Sequence, residues 1–384
     1  MKPFEVNRLL STARERTGLA DFGPDDYVPG LAAFIDSINA QGEISDDRRL
    51  HFEERVLRLL MNRLWFAKDL QEHPEIADEE VAPPVVIVSL PRTGSTKLHR
   101  MLGASGDFQS LLMWKAHMFA RIPGSADHGK ERRIQETRDY EKWMYEESPE
   151  IVTGHPMFTD EPEEDQLLGE FTFRDSYLFG LFNVPGYTQW LMQADRRPAM
   201  EYFYRQIQYL QWQARPQTAP WLLKSPIHLG SERHVAQAFK NPRFIVTHRD
   251  PGKCMPSISS PVRYMRKLYS DVDAAAALGD ALTAHFAHKA LEHTQWRESV
   301  PNAPVLDLSM REITVDGPGT ARKVYDFLGM PLTPAAESAM RSWERDNQLE
   351  KHGRNLYAAE EIGTTEAAIR KAFAPYIERF AEFL

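Results

Sequence analysis

The residues best placed to do chemistry form a short polar turn between an apolar run and an amphipathic one. Residues 85–88 are a continuous β-branched run, typical of a strand buried on both faces, and the turn Pro-Arg-Thr-Gly-Ser-Thr follows at 91–96. Leu98, Met101 and Leu102 then fall at helical spacing. A strand, a tight turn and a helix start leave several backbone N–H groups at the positive end of the helix dipole. This order therefore predicts an anion-binding loop.

The loop differs from the nucleotide-binding P-loop, whose pattern is G-x-x-x-x-G-K-[ST]. When the two are aligned on Gly94 and Thr96, the chain has Ser89 in place of the first glycine and Ser95 in place of the lysine. A fixed cation, Arg92, lies inside the turn instead. The missing lysine argues against ordinary ATP or GTP chemistry, while the loop still favours a phosphate-like group. A sulfated nucleotide satisfies both observations.

Two further apolar runs end in residues that suit anion binding. The run at 221–223 is followed by Lys224, and a buried lysine at the carboxyl end of a strand is unfavourable unless it meets an anion there. The run at 243–248 is followed by Arg249, with Ser257 eight residues further on. The guanidinium can bind a phosphate bidentately while the hydroxyl donates one more bond. We therefore expect one anion contact at the end of each of these two strands, in addition to the loop.

Several histidines and acids could take a proton from an acceptor. Residues 163–165 are acids that open a helix, where they complement the helix dipole without any chemistry. General bases are most often His or Glu, so Glu164 and the nearby His155 are among the residues of the right type. His117 and His228 are further candidates, although each is as well explained by a capping, solvated or core position. The identity of the base stays open at this point.

The loop in its strand and helix context resembles the 5′-phosphosulfate loop of sulfotransferases that use 3′-phosphoadenosine 5′-phosphosulfate (PAPS). The Lys-Ser-Pro segment at 224–226, the His-Arg-Asp-x₆-Ser segment at 248–257 and a basic turn at 351–354 resemble the same family, in the same chain order. The resemblance covers roughly residue 46 to the C-terminus. It implies PAPS as the donor, 3′-phosphoadenosine 5′-phosphate (PAP) as the product, no metal, and a hydroxyl or amine as the acceptor group.

The resemblance also implies a role for each matching residue. The loop would hold the 5′-phosphosulfate through Arg92, Thr93, Gly94, Ser95, Thr96 and Lys97. The 3′-phosphate would be bound by Arg249 and Ser257, and by a lid formed from Lys351, His352, Gly353 and Arg354. Lys224 would contact the bridging and sulfuryl oxygens, and His155 and Glu164 would lie beside the acceptor.

Two positions depart from the family pattern. Lys115 stands where a Trp-Glu pair commonly supplies a glutamate, and Pro226 stands where the small-molecule enzymes have a catalytic histidine. Two alternatives therefore stay open. A catalytically silent PAPS- or PAP-binding protein would have lost its base, and a P-loop-like nucleotide kinase would need a loop lysine and Mg²⁺.

Composition narrows the class of protein. The chain has 384 residues, of which 42% are hydrophobic, so it can bury a large core. Its formal net charge of −9 argues against nonspecific nucleic-acid binding, although a local basic pocket for a nucleotide remains compatible with it. Cys254 is the single cysteine, which excludes an intramolecular disulfide. The sequence shows neither an apolar signal region nor a run of about 20 apolar residues, so we expect no transmembrane segment and a cytoplasmic location.

The elements that position these residues predict an α/β fold: a P-loop-like parallel sheet flanked by helices, with an N-terminal helical extension and helical acceptor-site insertions. We predict strands at 85–88, 221–224, 244–247 and 304–308, and helices at 6–16, 27–40, 46–69, 273–296, 320–328 and 365–383. Residues 1–82 would form the extension and 83–384 the sulfotransferase domain, with an aromatic-rich helical insertion at 127–215. These aromatic residues favour a small-molecule or lipid acceptor, and a homodimer stays open.

Overall fold

The centre of the protein is a four-stranded parallel sheet. The computed structural model describes residues 2–273, 275–347 and 358–384. The strands are β1 (Val85–Ser89), β2 (Leu222–Ser225), β3 (Arg243–His248) and β4 (Val305–Ser309), and their order across the sheet is β2-β1-β3-β4. In the register of the sheet, Val88 lies opposite Ser225 on one side and Val246 on the other. The carboxyl ends of β1, of its neighbour β3 and of the edge strand β2 therefore lie along one edge of the sheet.

The sheet is buried on both faces because β1 alternates between two apolar clusters. Val86 and Val88 belong to the larger cluster, whereas Val85 and Ile87 belong to the smaller one. The larger cluster continues without a break into three N-terminal helices: α1 (Val6–Thr17), α2 (Val28–Gln41) and α3 (Arg49–Glu72). Helix α3 ends at Glu72, immediately before the His-Pro pair that cannot continue it.

The other helices cover the two faces of the sheet and build the region beside its carboxyl edge. In chain order they are α4 (Ser95–Gly103), α5 (Met113–His117), α6 (Lys130–Glu147), α7 (Ile151–Gly154), α8 (Gln166–Gly169), α9 (Tyr177–Leu181), α10 (Pro185–Gln193), α11 (Arg197–Gln213), α12 (Glu232–Ala238), α13 (Pro251–Lys267), α14 (Ala275–Ser299), α15 (Met310–Val315), α16 (Gly317–Leu328), α17 (Pro334–Asp346), α18 (Glu366–Ala372) and α19 (Ala374–Arg379). Among the described residues, no helix combines the length and apolar character that crossing a bilayer requires.

The C-terminal segment corrects one prediction. A single helix over 365–383 is wrong, because the chain forms α18, α19 and a short 3₁₀ turn at Ala381–Phe383. Phe373 leaves the helical region with ψ at 13°. Pro375, the second residue of α19, has no N–H to donate and its ring would clash with a preceding carbonyl. The helical periodicity of the apolar residues continues through this break, so the pattern alone does not show it.

Candidate active site

The turn between β1 and α4 has the backbone of an anion-binding loop. Gly94 precedes the first residue of α4 with φ at +82°, and no side chain of the described residues caps the helix. Its first-turn N–H groups therefore remain available at the positive end of the dipole. Arg92 also has a positive φ, +69°, which strains a non-glycine backbone by roughly 1–3 kcal/mol.

The side chain of Arg92 holds this strained turn in place. Its Nη1 donates a hydrogen bond to the carbonyl of Gly154 at 2.6 Å, and its Nε donates to the Ser257 hydroxyl at 3.2 Å. Arg249 donates from Nη1 to the carbonyl of Arg92 at 3.0 Å. The guanidinium of Arg92 thus joins the loop to α7 and α13, and the guanidinium of Arg249 joins the carboxyl end of β3 to the loop backbone.

Two hydroxyls fix the loop from beneath. Thr93 donates to the carbonyl of Leu90 at 3.0 Å, and its Oγ1 lies 2.6 Å from the Oγ1 of Thr247 on β3. The Ser89 hydroxyl lies 3.3 Å from that of Ser95. These bonds are internal to the protein, so they set the shape of the loop.

Lys224, on strand β2, contacts both the loop and the acidic segment at residues 163–165. Its side chain is only 2% exposed, and its Nζ donates to Thr96 Oγ1 at 3.0 Å and forms an ion pair with Glu164. The backbone N–H of Lys224 donates to Asp165 Oδ2 at 2.8 Å. A buried ammonium is tolerated only when it is paired in this way.

Glu163, the neighbour of Glu164, has a different environment. One of its oxygens lies 2.9 Å from His155 Nε2, and the other lies 3.6 Å from Arg100 on α4. Burial alone would raise the pKa of the Glu163 carboxyl, but His155 and Arg100 outweigh it and lower that pKa to about 2. Glu163 is therefore ionised at neutral pH and orients His155, while Glu164 faces Lys224.

These polar groups line one end of a cavity of about 310 Å³. The rest of its wall is apolar and comes mainly from α7, α9, α13 and α14, including Ile151, Phe179, Ile258, Val262, Met265, Leu282 and Phe286. A polar end that holds an anion loop and an apolar body of this size are typical of a small-molecule site.

Comparisons with known proteins identify the family. The family model described as "Sulfotransferase family" matches residues 83–334, more than half of the chain. The chain belongs to the sulfotransferase family. No curated protein matches the chain.

Two solved structures show the same fold along almost the whole chain. Sulfotransferase STF9 from Mycobacterium avium is 24% identical, with 99% of this chain and 98% of that one covered and a TM-score of 0.85. Sulfotransferase STF1 from Mycobacterium tuberculosis H37Rv is 23% identical, with coverage of 97% and 98% and a TM-score of 0.80. The P-loop-like sheet flanked by helices is thus confirmed.

The sulfotransferase brings eight of the thirteen described residues singled out in its sequence to one cavity. Its lining includes Arg92, Gly94, Ser95, Thr96, His155, Glu164, Lys224 and Arg249. Lys97 instead extends to α17, where its Nζ lies 2.6 Å from Glu344. The predicted lid at 351–354, comprising Lys351, His352, Gly353 and Arg354, lies outside the described residues.

Two of the candidate bases lie away from Glu164. His228 is buried on a short 3₁₀ turn after β2, where its Nε2 lies 2.9 Å from Asp165 Oδ1 and its side chain lines a second cavity. His117 stacks on Tyr140 with ring centroids 4.6 Å apart, and burial lowers the pKa of its imidazole well below the ordinary value. Of the four histidine and glutamate candidates, only His155 and Glu164 line the cavity that contains the loop.

Sequence reasoning missed Asp165 and Arg100. Asp165 bonds the backbone of Lys224 and the ring of His228, so it fixes the end of β2. Arg100 donates to the carbonyls of Pro156 and Pro162, which holds the segment that contains His155 against α4. The run of three acids is the signal for Asp165, but the sequence places all three in the first turn of a helix. That position is wrong, because α8 begins at Gln166 and all three acids precede it. For Arg100 the sequence offers no signal beyond its place on the loop helix.

Three of the side chains around Lys224 also have the residue types of metal ligands. His155, Glu163 and Glu164 each offer one ligand atom, and these atoms lie within 4.8 Å of one another. However, the ammonium of Lys224 already pairs with Glu164, and Arg100 lies beside Glu163. A divalent cation would have to compete with both fixed cations, so the arrangement favours ammonium–carboxylate chemistry over metal binding.

Proposed function

We propose that this sulfotransferase transfers the sulfuryl group of PAPS to a hydroxyl or amine of an apolar small-molecule or lipid acceptor. The observation that carries the proposal is the position of Lys224. Its ammonium lies between Thr96 of the anion loop and Glu164, at the polar end of an otherwise apolar cavity. The cavity therefore contains a cation that can stabilise a leaving group, a carboxyl that can act as an acid or base, and an apolar wall for the acceptor.

The residues present fit PAPS as the donor. The uncapped start of α4 and the guanidinium of Arg92 suit a 5′-phosphosulfate. Arg249 and Ser257, which both contact Arg92, suit the 3′-phosphate, because one offers a guanidinium fork and the other a hydroxyl. When bound, PAPS would supply an activated sulfuryl group whose leaving group is a phosphate. Backbone N–H groups of Ser95 and Thr96 complete the donor set.

The chain's own groups divide the remaining work. Lys224 is preorganised to stabilise negative charge on a leaving oxygen near Thr96. Glu164 is the first candidate to take the proton of the acceptor, since it lines the cavity and lies beside the ammonium of Lys224. His155 is the second candidate, and its hydrogen bond to Glu163 fixes the orientation of its ring. The apolar wall excludes water, which would otherwise compete as the acceptor.

The donor half of the proposal is tested by calorimetric titration with PAP, ADP and ATP, each with and without Mg²⁺. We expect PAP to bind without Mg²⁺ and ADP to bind roughly 10- to 100-fold more weakly, because hydrogen bonds to a charged phosphate contribute about 1.5–3 kcal/mol. Arg249→Ala should reduce the affinity for PAP to near that for ADP. Arg243→Ala is the matched control, since Arg243 is the exposed arginine at the opposite end of the same strand.

The same titrations separate the alternatives. Equal binding of ADP and PAP, or a requirement for Mg²⁺ with ATP, would overturn the proposal in favour of a kinase. Tight PAP binding without sulfuryl transfer to any member of a broad panel of phenols, alcohols and amines would instead indicate a catalytically silent binding protein.

We further propose that the reaction takes place in the cytoplasm. The observation behind this is that Cys254 is the single cysteine and is a buried free thiol, so folding needs no disulfide and no oxidising compartment. Fractionation of the producing cells with an antibody against the protein tests this location.

A further inference from the structure

A second, smaller cavity borders the one that contains the anion loop. It has a volume of about 80 Å³ and shares the lining residues Ser176, Ile227 and His285 with its larger neighbour. A single water needs roughly 10–15 Å³ on this measure, so the space can hold a group of several heavy atoms. The two cavities therefore adjoin at these three residues.

Lys289 of α14 lines this second cavity with an unsatisfied cation. The residue is only 6% exposed, yet its ammonium makes no hydrogen bond or ion pair with any residue in the part of the chain that the structure describes. Burial, and secondarily the charge of Arg196, lower the pKa of Lys289 to about 8, so the amine is still mostly protonated at pH 7. A buried ammonium without a partner is unfavourable, and an anion in the cavity would relieve this.

The other charges around the cavity favour an anion as well. Arg174 donates to the backbone carbonyls of Asp26 and Asp195 and pairs with no carboxylate among the described residues. Arg196, in contrast, is neutralised by Glu292 at 3.1 Å.

The acid on the wall only partly offsets these cations. Burial raises the pKa of Asp175 to about 7, so this carboxyl is only partly ionised at neutral pH. It lies more than 4.0 Å from Lys289 Nζ, since the two form no ion pair in the described structure. Glu292 and Glu232 also act on Lys289, but Glu292 is paired with Arg196 and Glu232 lies 2.6 Å from His293. Among the described residues, no carboxylate therefore forms an ion pair with Lys289.

One wall of the second cavity is also tied directly to the site of Lys224. His228 lines the cavity and bonds Asp165, which in turn accepts the backbone N–H of Lys224. The Nδ1 of His228 is buried and has no hydrogen-bond partner within the described residues. A ligand group in this cavity would thus be held at a fixed position relative to Lys224.

We propose that the second cavity is a carboxylate subsite for the acceptor, in which Lys289 and Arg174 bind an acidic group remote from the hydroxyl or amine that reacts. This inference rests on the proposed function, because a subsite for the acceptor presupposes that the chain transfers a sulfuryl group. It defines the acceptor as an apolar molecule with a carboxylate at its far end. The apolar wall of the larger cavity would contact the body of that molecule.

The test compares a carboxylate with its uncharged isostere, without any nucleotide. Titration calorimetry at pH 7 would measure binding of 4-phenylbutanoate and of 4-phenylbutanamide to the wild-type chain, to Lys289→Met and to Lys289→Arg. We expect the wild type to prefer the carboxylate by at least about tenfold, as for one charge-assisted hydrogen bond. Lys289→Met should abolish this preference, and Lys289→Arg should keep most of it.

The outcomes separate this inference from the proposed function. Equal binding of the two probes to the wild type, or an unchanged preference in Lys289→Met, would overturn the carboxylate subsite. Each variant is also titrated with PAP, whose affinity should be unchanged, which shows that the variant is folded. A failure of PAP to bind the wild type would instead overturn the proposed donor while leaving the probe comparison valid.

Discussion

Replacing Lys224 with methionine should destabilise the protein, because it leaves Glu164 buried without its counter-ion. The two side chains are 2% and 8% exposed. Removing one partner of a buried ion pair destabilises a protein by about 3–5 kcal/mol. The entropy of unfolding scales with chain length, and for 384 residues this loss corresponds to a fall of about 4–6 °C in the midpoint of thermal unfolding.

The double variant Lys224→Met with Glu164→Gln is the matched control. Since it removes both charges, its midpoint should return to within about 2 °C of the wild type. Differential scanning calorimetry of the wild type, both single variants and the double variant completes a double-mutant cycle. If Lys224→Met unfolded at the wild-type temperature, the reasoning from a buried and coupled pair would be refuted.

A transfer assay on the same four proteins separates stability from catalysis. Removing a preorganised charge that stabilises a transition state typically lowers kcat by about 10²- to 10³-fold. The double variant should stay slow although its stability is restored, because it lacks both the ammonium and the candidate base Glu164. The single variant Glu164→Gln keeps Lys224 and so separates the two losses, and a fast double variant would show that neither group is needed for transfer.

Three further predictions concern the loop, the acidic segment and the thiol. Gly94→Ala should lower the unfolding midpoint by about 1–2 °C and weaken PAP binding in calorimetry, because a positive φ costs a residue with a Cβ about 1–2 kcal/mol. The added Cβ would lie 3.5 Å from Ile313, which is ordinary van der Waals contact, so the effect comes from the backbone. An unchanged affinity would mean that the backbone geometry of the loop is unimportant for binding. The lowered pKa of Glu163 contributes stability that is complete above about pH 4.5 and is lost as the pH falls to about 2. Glu163→Gln should therefore make the free energy of unfolding in urea less dependent on pH within that window. An unaltered pH dependence would contradict the lowered pKa of Glu163. Burial raises the pKa of Cys254 to about 12, so a thiol reagent at about pH 8 should react only after unfolding; a rapid reaction of the native protein would show that α13 opens locally.

Local patterns are enough to predict the strands and the loop. Residues 85–88 are β-branched throughout, and a continuous run of this kind is typical of a strand buried on both faces. The strand, and the polar turn that follows it, can therefore be predicted from the local sequence. The order β2-β1-β3-β4 is set by packing between distant segments, which no local pattern records. The C-terminal helix breaks near Pro375, although the helical pattern of apolar residues continues past it. There the proline predicts the break and the periodicity does not.

The site shows the same division between local and distant information. The candidates Arg92, Lys224 and Arg249 each stand out because a cation ends a buried apolar run. The family resemblance singles out Glu164 as a candidate base, but its pairing with Lys224 depends on a fold that brings together segments 60 residues apart, so the sequence did not predict this ion pair. Lys289 gave no signal at all, because a single lysine in an Ala-rich helix is ordinary and only its burial makes it unusual.

The sheet order has a consequence for how the chain is made. Strand β1 is central, and both of its neighbours, β2 and β3, come later in the chain. About 130 residues separate Ser89 from Leu222, so a ribosome adding 5–20 residues per second needs roughly 7–26 s to deliver the first partner. During that interval the nascent chain carries an apolar β-branched segment with both edges unpaired, which is the kind of segment that aggregates. Synthesis of this protein in quantity should therefore depend on chaperones that shield β1 until the second strand emerges.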